Sequence, residues 1–110
     1  MSAYVPIVMS GNGSSTPLMV RPEQNIMWQA APAYSFGLVA TLSPGGSLTY
    51  TVQVTADPIP SATGNWNNHD VLYNQTSSAN SNIAYPITGL RLVVTGYSSG
   101  TITLGVARWP

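Results

Sequence analysis

Residues 47–55 read Ser-Leu-Thr-Tyr-Thr-Val-Gln-Val-Thr. Leu48, Tyr50, Val52 and Val54 fall on one side of an extended chain, and Thr49, Thr51, Gln53 and Thr55 on the other. A period of two with β-branched and aromatic residues predicts a strand with one buried and one wet or partnered face. Pro44-Gly45-Gly46 just before it is a turn signal, and Ser35–Leu42 (SFGLVATL) ahead of that turn reads as the preceding strand. The two are expected to form a hairpin.

The same pattern closes the chain. Leu90, Leu92 and Val94 share a face, as do Ile102, Leu104 and Val106 beyond a Gly96–Gly100 turn. This predicts a second hairpin, with Gly105 marking a bulge or a close backbone approach. Toward the N-terminus, Ala3–Met9, Leu18–Arg21 and Asn25–Gln29 are expected to be strands, and Gly11–Pro17 a loop. Ala56–Asn82 is dense in turn formers and reads as a long irregular stretch with a short strand around Asp70–Asn74. Nine Pro and ten Gly are spread along 110 residues, and no run of 12 or more residues both lacks a breaker and shows a 3.6-residue period, so no helix is expected. The expectation is one all-β domain over residues 1–110, an antiparallel β-sandwich, with Met1–Gly37 a candidate N-terminal arm.

Composition narrows the function. Only Arg21, Arg91, Arg108, Glu23, Asp57 and Asp70 are formally charged, 5% of the chain, and the net charge is zero. Typical domains carry about 25% charged residues. Surfaces with so little charge tend to associate, so the exterior is expected to be covered by partners. Three scattered Arg cannot neutralise the phosphates that nucleic-acid binding requires, so no nucleic-acid partner is expected. The absence of Cys rules out disulfides and thiolate zinc sites. The start, MSAYVPIVMSG, lacks the basic and apolar regions of a signal peptide, and no apolar run approaches a membrane span.

Chemistry-bearing motifs are few. His69-Asp70 is the one adjacent pair suited to acid–base work, but no GxSxG elbow presents a nucleophile, and the pair reads as satisfying backbone groups in a turn. The single His and the dispersed carboxylates do not make a metal site, and Glu23, Asp57 and Asp70 do not pattern as a glycosidase pair. No enzyme activity and no cofactor are expected. Gly96–Gly100 has neither a following helix nor a Lys, so it is no phosphate cradle. Asn12-Gly13-Ser14 and Asn74-Gln75-Thr76 match the glycosylation acceptor pattern in a chain where Asn is simply common. Of the three Trp, Trp28 reads as core. Trp66 lies among Asn65, Asn67 and Asn68, and Trp109 is penultimate, so both read as partner contacts.

The order of these features carries a resemblance. SLTYTVQVT leads to Asp57-Pro58, then to Trp66 and His69-Asp70-Val71-Leu72, then to NQTSSANSNIAYPITGLRL, and last to a Gly-Ser turn and TITLGV. From about Leu38 to Arg108 this series resembles small proteins of the structural gene clusters of tailed bacteriophages, including capsid decoration (cement or staple) proteins. The resemblance implies a jelly-roll-like β-sandwich on the outer surface of the virion shell, made in the host cytoplasm. It implies that the chain clamps neighbouring major capsid subunits and pairs with itself as a homodimer or homotrimer, with no catalytic residues. The expected contacts are Trp66, Trp109, Arg108, Tyr97, Tyr4 and the Met1–Met9 arm. The alternative reading is a carbohydrate- or receptor-binding β-domain of a phage head or tail fibre, supported by Trp66 in its Asn-rich setting.

Overall fold

The structure is a computed structural model that describes residues 3–19, 36–57, 63–83 and 87–108. Among them nine strands run in chain order: β1 (Ala3–Met9), β2 (Gly13–Ser14), β3 (Leu18–Met19), β4 (Phe36–Leu42), β5 (Ser47–Thr55), β6 (Asn67–Asn68), β7 (Ala79–Ile83), β8 (Gly89–Ser99) and β9 (Ile102–Arg108). Among the described residues there is no helix.

The first sheet has the order β1-β9-β4-β7 and the second β2-β8-β5-β6, with β3 also on β8. Every pairing is antiparallel. β2 and β3 act as one interrupted strand along β8. From Gly13 to Leu18 the chain advances five residues while its partners go from Val94 to Leu90, four residues, so one residue bulges out. Within that strand the Ser15 amide donates to the Leu92 carbonyl, and the Ser15 hydroxyl accepts from the Leu92 amide at 2.9 Å, standing in for a backbone carbonyl.

Strand for strand, the sheets correspond. β1 continues into β2, β4 into β5, β6 into β7 and β8 into β9, and each pair takes the same position in its own sheet. The molecule is therefore one wide antiparallel ribbon creased across its middle and folded shut. This is the connectivity of a jelly roll, an all-β sandwich of two Greek keys.

The crease overturns two expectations. Neither β4–β5 nor β8–β9 is a hairpin, because the members of each pair lie in different sheets. The Ser43 carbonyl does accept from the Gly46 amide at 2.9 Å, with Gly45 at φ 78°, the form of a type II turn with Pro at its second position. The turn chemistry was legible, but here it carries the chain between sheets. The two arches lock together: Ser43 N–H donates to Thr101 O (2.9 Å) and Thr101 N–H donates to Ser43 Oγ (3.0 Å). Nor does Gly105 mark a bulge. It pairs in unbroken register with Pro6 on one side and Val39 on the other. The irregularity lies near Gly96 (φ 60°): between the Thr49–Thr95 and Ser47–Ser99 pairs β8 advances four residues and β5 two.

The core lies between the sheets. Leu48, Tyr50, Val52 and Val54 of β5, Leu90, Leu92 and Val94 of β8, and Ile102, Leu104 and Val106 of β9 are all buried, as the alternation predicts. Each such aliphatic side chain contributes about 1.5–3 kcal/mol relative to an exposed one. Tyr50 is fully buried, its hydroxyl donating to the Ser77 carbonyl at 2.8 Å, and burial raises its pKa above the usual phenol value. Two residues of the opposite face, expected to be wet or partnered, are buried as well: Thr51 and Thr55. Thr51 Oγ1 takes the Asn74 amide at 2.9 Å, and Thr55 Oγ1 the Asp57 amide at 3.1 Å.

Residues 70–74 form no strand; only an isolated bridge joins Gln75 to Tyr50. Of the expected Leu18–Arg21 strand, Leu18 and Met19 form β3 and the remainder lies outside the described residues. Ala3–Met9 is an integral edge strand on β9, not an arm. The expected Asn25–Gln29 strand and Trp28 lie outside the described residues.

At the crease, a Cβ added to Gly100 would stand 2.5 Å from the Gly46 Cα and 2.9 Å from Ser43 Oγ, at φ 93°. Gly100→Ala is therefore expected to destabilise the fold by about 2–4 kcal/mol, measured by urea unfolding. Gly11→Ala meets nothing within 4 Å and is expected to stay within about 0.5 kcal/mol of the parent.

Candidate functional site

The His69-Asp70 pair is a structural staple. The His69 ring is buried at 2% exposure. Its Nδ1 accepts the amides of Val71 and Leu72, both at 3.1 Å, so the proton sits on Nε2 and is donated to the Asn82 carbonyl at 2.9 Å. These bonds join the segment after β6 to β7 and turn the chain at 70–72, which is why no strand forms there. Asp70 Oδ1 lies 3.5 Å from Nδ1, but that lone pair already faces two amides and the Asp70 side chain is 86% exposed. Both ring nitrogens serve the backbone, leaving neither for proton transfer. Among the described residues no group of three His, Cys, Asp or Glu could hold a metal ion.

What the molecule offers to partners is its two outer sheet faces. On the first sheet, residues that alternate with the core point outward. In register across β1, β9 and β4 these are Val8, Thr103 and Thr41, then Pro6, Gly105 and Val39. Val8 is 59% exposed and Val39 49%. Gly105 leaves a shallow trough along β9 between the Pro6–Val8 ridge and the Val39–Thr41 ridge. On β7 the face ends in the exposed amides Asn80 and Asn82. No described side chain on this face is charged.

The second sheet is different. Gln53 of β5 pairs in register with Arg91 of β8 and with Asn68 of β6. Arg91 Nε donates to Gln53 Oε1 at 2.8 Å, and Gln53 Nε2 donates to Asn68 Oδ1 at 2.9 Å. The Arg91 guanidinium sits 4.4 Å from the Trp66 ring centroid. Such a stack contributes about 0.5–2 kcal/mol. Partial burial pulls the Arg91 pKa below its usual value without discharging it. The segment leading to Trp66 is held by Asp57, whose carboxylate accepts the Asn65 amide at 2.8 Å and the Asn65 side-chain amide at 3.3 Å. Those two bonds hold the Asp57 pKa below the ordinary carboxylate range.

The expected contact residues scatter. Trp66 is half-buried in the Arg91 cluster. Tyr97 is partly buried against the core near the crease, and its amide donates to Asn12 Oδ1. Tyr4 and Arg108 occupy neighbouring register positions at the far end of the first sheet, where Tyr4 pairs with Ala107 and Arg108 with Ala3 and Phe36. Trp109 lies outside the described residues. Sequence reading missed Arg91 and Gln53, which are 25 and 13 residues from Trp66; no local signal joins them. It also missed the uncharged outer face of the first sheet, although the alternating Val8, Val39, Thr41 and Thr103 were open to view.

No protein-family pattern matches the sequence, and no curated protein does. One solved structure, a chain of the disulfide-linked pili that form Bacillus endospore appendages, aligns with 98% of this chain and 86% of its own at 8% identity and a TM-score of 0.44. A likeness of that size carries no argument about function.

His69→Ala is expected to lower stability by about 3 kcal/mol in urea unfolding, since it strands two buried amides and a carbonyl, while Asp70→Asn stays within about 0.5 kcal/mol. Asp57 has a depressed folded pKa, so its stabilisation is present above the unfolded value of about 3.9 and fades as pH falls through the folded value. Comparing unfolding of the parent and Asp57→Asn from neutral pH into that acid range should show the parent's advantage disappearing on acidification.

Proposed function

We propose that the chain is a structural capsid decoration protein of a tailed bacteriophage, which binds the outer surface of the shell and clamps neighbouring major capsid subunits. The observation that carries this reading is the uncharged outer face of the first sheet, with exposed Val8 and Val39 flanking the Gly105 trough. Hydroxyls, methyls and backbone can be covered there without desolvating a charge.

Size sets how such a face works. Four strands about 4.8 Å apart, three of seven residues and one of five at about 3.4 Å per residue, outline roughly 400 Å². A standard interface buries about 800 Å² per partner, so one such contact is weak. Binding strength then comes from repetition: a symmetric shell offers many identical sites, and a homodimer or homotrimer engages several at once. By binding the assembled lattice and not its dissociated subunits, the protein adds to shell stability through linkage. The sandwich contributes rigidity, since an interlocked crease and a continuous core hold the docking face in one shape.

The test is co-sedimentation of the purified chain with undecorated capsids. The parent is expected to pellet at a fixed copy number per shell. Val39→Asp places a charge in the middle of the face and is expected to weaken binding about tenfold or more with an unchanged melting temperature. Absence of co-sedimentation, or equal binding by a Val8→Asp/Val39→Asp double variant, would overturn the proposal.

A further inference from the structure

The sandwich has two outer faces, and docking through the first sheet leaves the second pointing away from the shell. That second face holds the one described arginine side chain, Arg91, and the one described tryptophan, Trp66, in contact with each other. The geometry points to a second binding surface there, in which Trp66, Gln53 and Asn68 take a neutral saccharide chain while Arg91 holds the indole in place.

Three observations carry this. First, the ring is positioned from below and behind. Arg91 rises from the middle of the sheet, is tied through Nε to Gln53, and lies against the ring at 4.4 Å. Asp57 anchors Asn65, the residue just before Trp66, through two hydrogen bonds. An aromatic platform fixed in this way loses little side-chain freedom on binding. Second, the ring remains partly exposed, and so do Gln53 and, more fully, Asn67 and Asn68. Third, the polar groups around it are amides. Each amide offers both donor and acceptor, the combination a sugar hydroxyl needs, whereas the C–H face of a pyranose ring is apolar and suits the indole. The Gln53–Asn68 bond uses one amide proton of Gln53 and one oxygen of Asn68, so each amide retains further hydrogen-bonding capacity.

The charge pattern selects the ligand class. Arg91 is already engaged by Gln53 and Trp66, and no other cationic side chain is described on this face, so an anionic polymer meets no array of cations. A neutral saccharide needs none. Arg91 is thus a positioning residue and the amides with Trp66 are the contacts. An open patch with one aromatic ring implies weak single-site binding, with Kd on the order of 1 mM, strengthened when many copies sit on one particle.

The test titrates the full chain, followed by ¹H–¹⁵N NMR, with tetrasaccharides of glucose, galactose, mannose and N-acetylglucosamine, and with a thymidine oligonucleotide. At least one tetrasaccharide is expected to shift the Trp66 indole and the Gln53 and Asn68 side-chain amides in a saturable manner. Trp66→Ala should weaken that binding about tenfold or more, Asn68→Ala about threefold or more, and Trp66→Phe should retain most of it. Arg91→Gln should weaken binding and broaden the indole signal, a change in ring order that loss of a mere contact would not produce. Val39→Asp should leave saccharide binding intact, and Trp66→Ala should leave capsid co-sedimentation intact, so the two surfaces fail separately. The inference is overturned if no tetrasaccharide shifts these resonances at about 10 mM, if folded Trp66→Ala and Asn68→Ala bind like the parent, or if the oligonucleotide alone binds.

Discussion

Where the ribbon folds shut, two glycines touch. A Cβ on Gly100 would run into the Gly46 Cα, a Cβ on Gly46 would run into Leu42 and Ser43, and Ser43 and Thr101 exchange hydrogen bonds beside them. Everything else in the molecule depends on this corner. Each central arm bends there from one sheet to the other, so the corner sets the spacing of the sheets, the register in which β4 meets β9 and β5 meets β8, and the depth of the core between them. Asn12 extends the same corner to the β1–β2 arm through the Tyr97 amide, and Ser78 extends it to β7 by accepting the Leu42 amide at 2.9 Å. A close approach of backbones needs residues without Cβ at the contact, and a reversal between sheets needs left-handed backbone, which glycine adopts without strain.

How much of this could be read beforehand follows from which interactions are local. Alternation in Ser47–Thr55 and in the last two strands placed Leu48, Tyr50, Leu92 and Leu104 in the core, because the strand period is a property of neighbouring residues. The turn at Pro44-Gly45 was equally visible. Its role was not: the same dihedral angles connect strands within one sheet or between two, and the outcome depends on β9 inserting beside β4 from 60 residues away. His69 was legible as a turn residue because its amide partners are two and three residues on. The Trp66 cluster was only half legible. The Asn-rich setting stood in the sequence, while Arg91 and Gln53 arrive through pairing of β5 with β8. Among the described residues no buried polar side-chain atom lacks a hydrogen-bond partner, so the hydroxyls and amides that the fold buries are structurally employed.

The two faces show how a chain with little charge differentiates its surfaces. On the first sheet the outward residues are small and apolar with hydroxyls, while on the second they are amides gathered about one arginine and one indole. The core residues of β8 and β9 are interchangeable aliphatics, so the difference between the faces resides in the alternate positions that the core leaves unconstrained. A strand can therefore keep its inward set while its outward set is tuned to a partner.

The strand order also has a consequence for biogenesis. Of the nine described strands β8 and β9 are synthesised last, yet each lies in the interior of its sheet, between β2–β3 and β5 in one case and between β1 and β4 in the other. Until residues 89–108 have left the ribosome, the edge strand β1 has nothing to pair with, and neither sheet exists as a continuous layer. Folding of the sandwich is thus held back until residues 89–108 have emerged; before that only the β4–β7 and β5–β6 pairs can form, and the apolar faces of β1, β4 and β5 stay uncovered for a nascent-chain chaperone to shield.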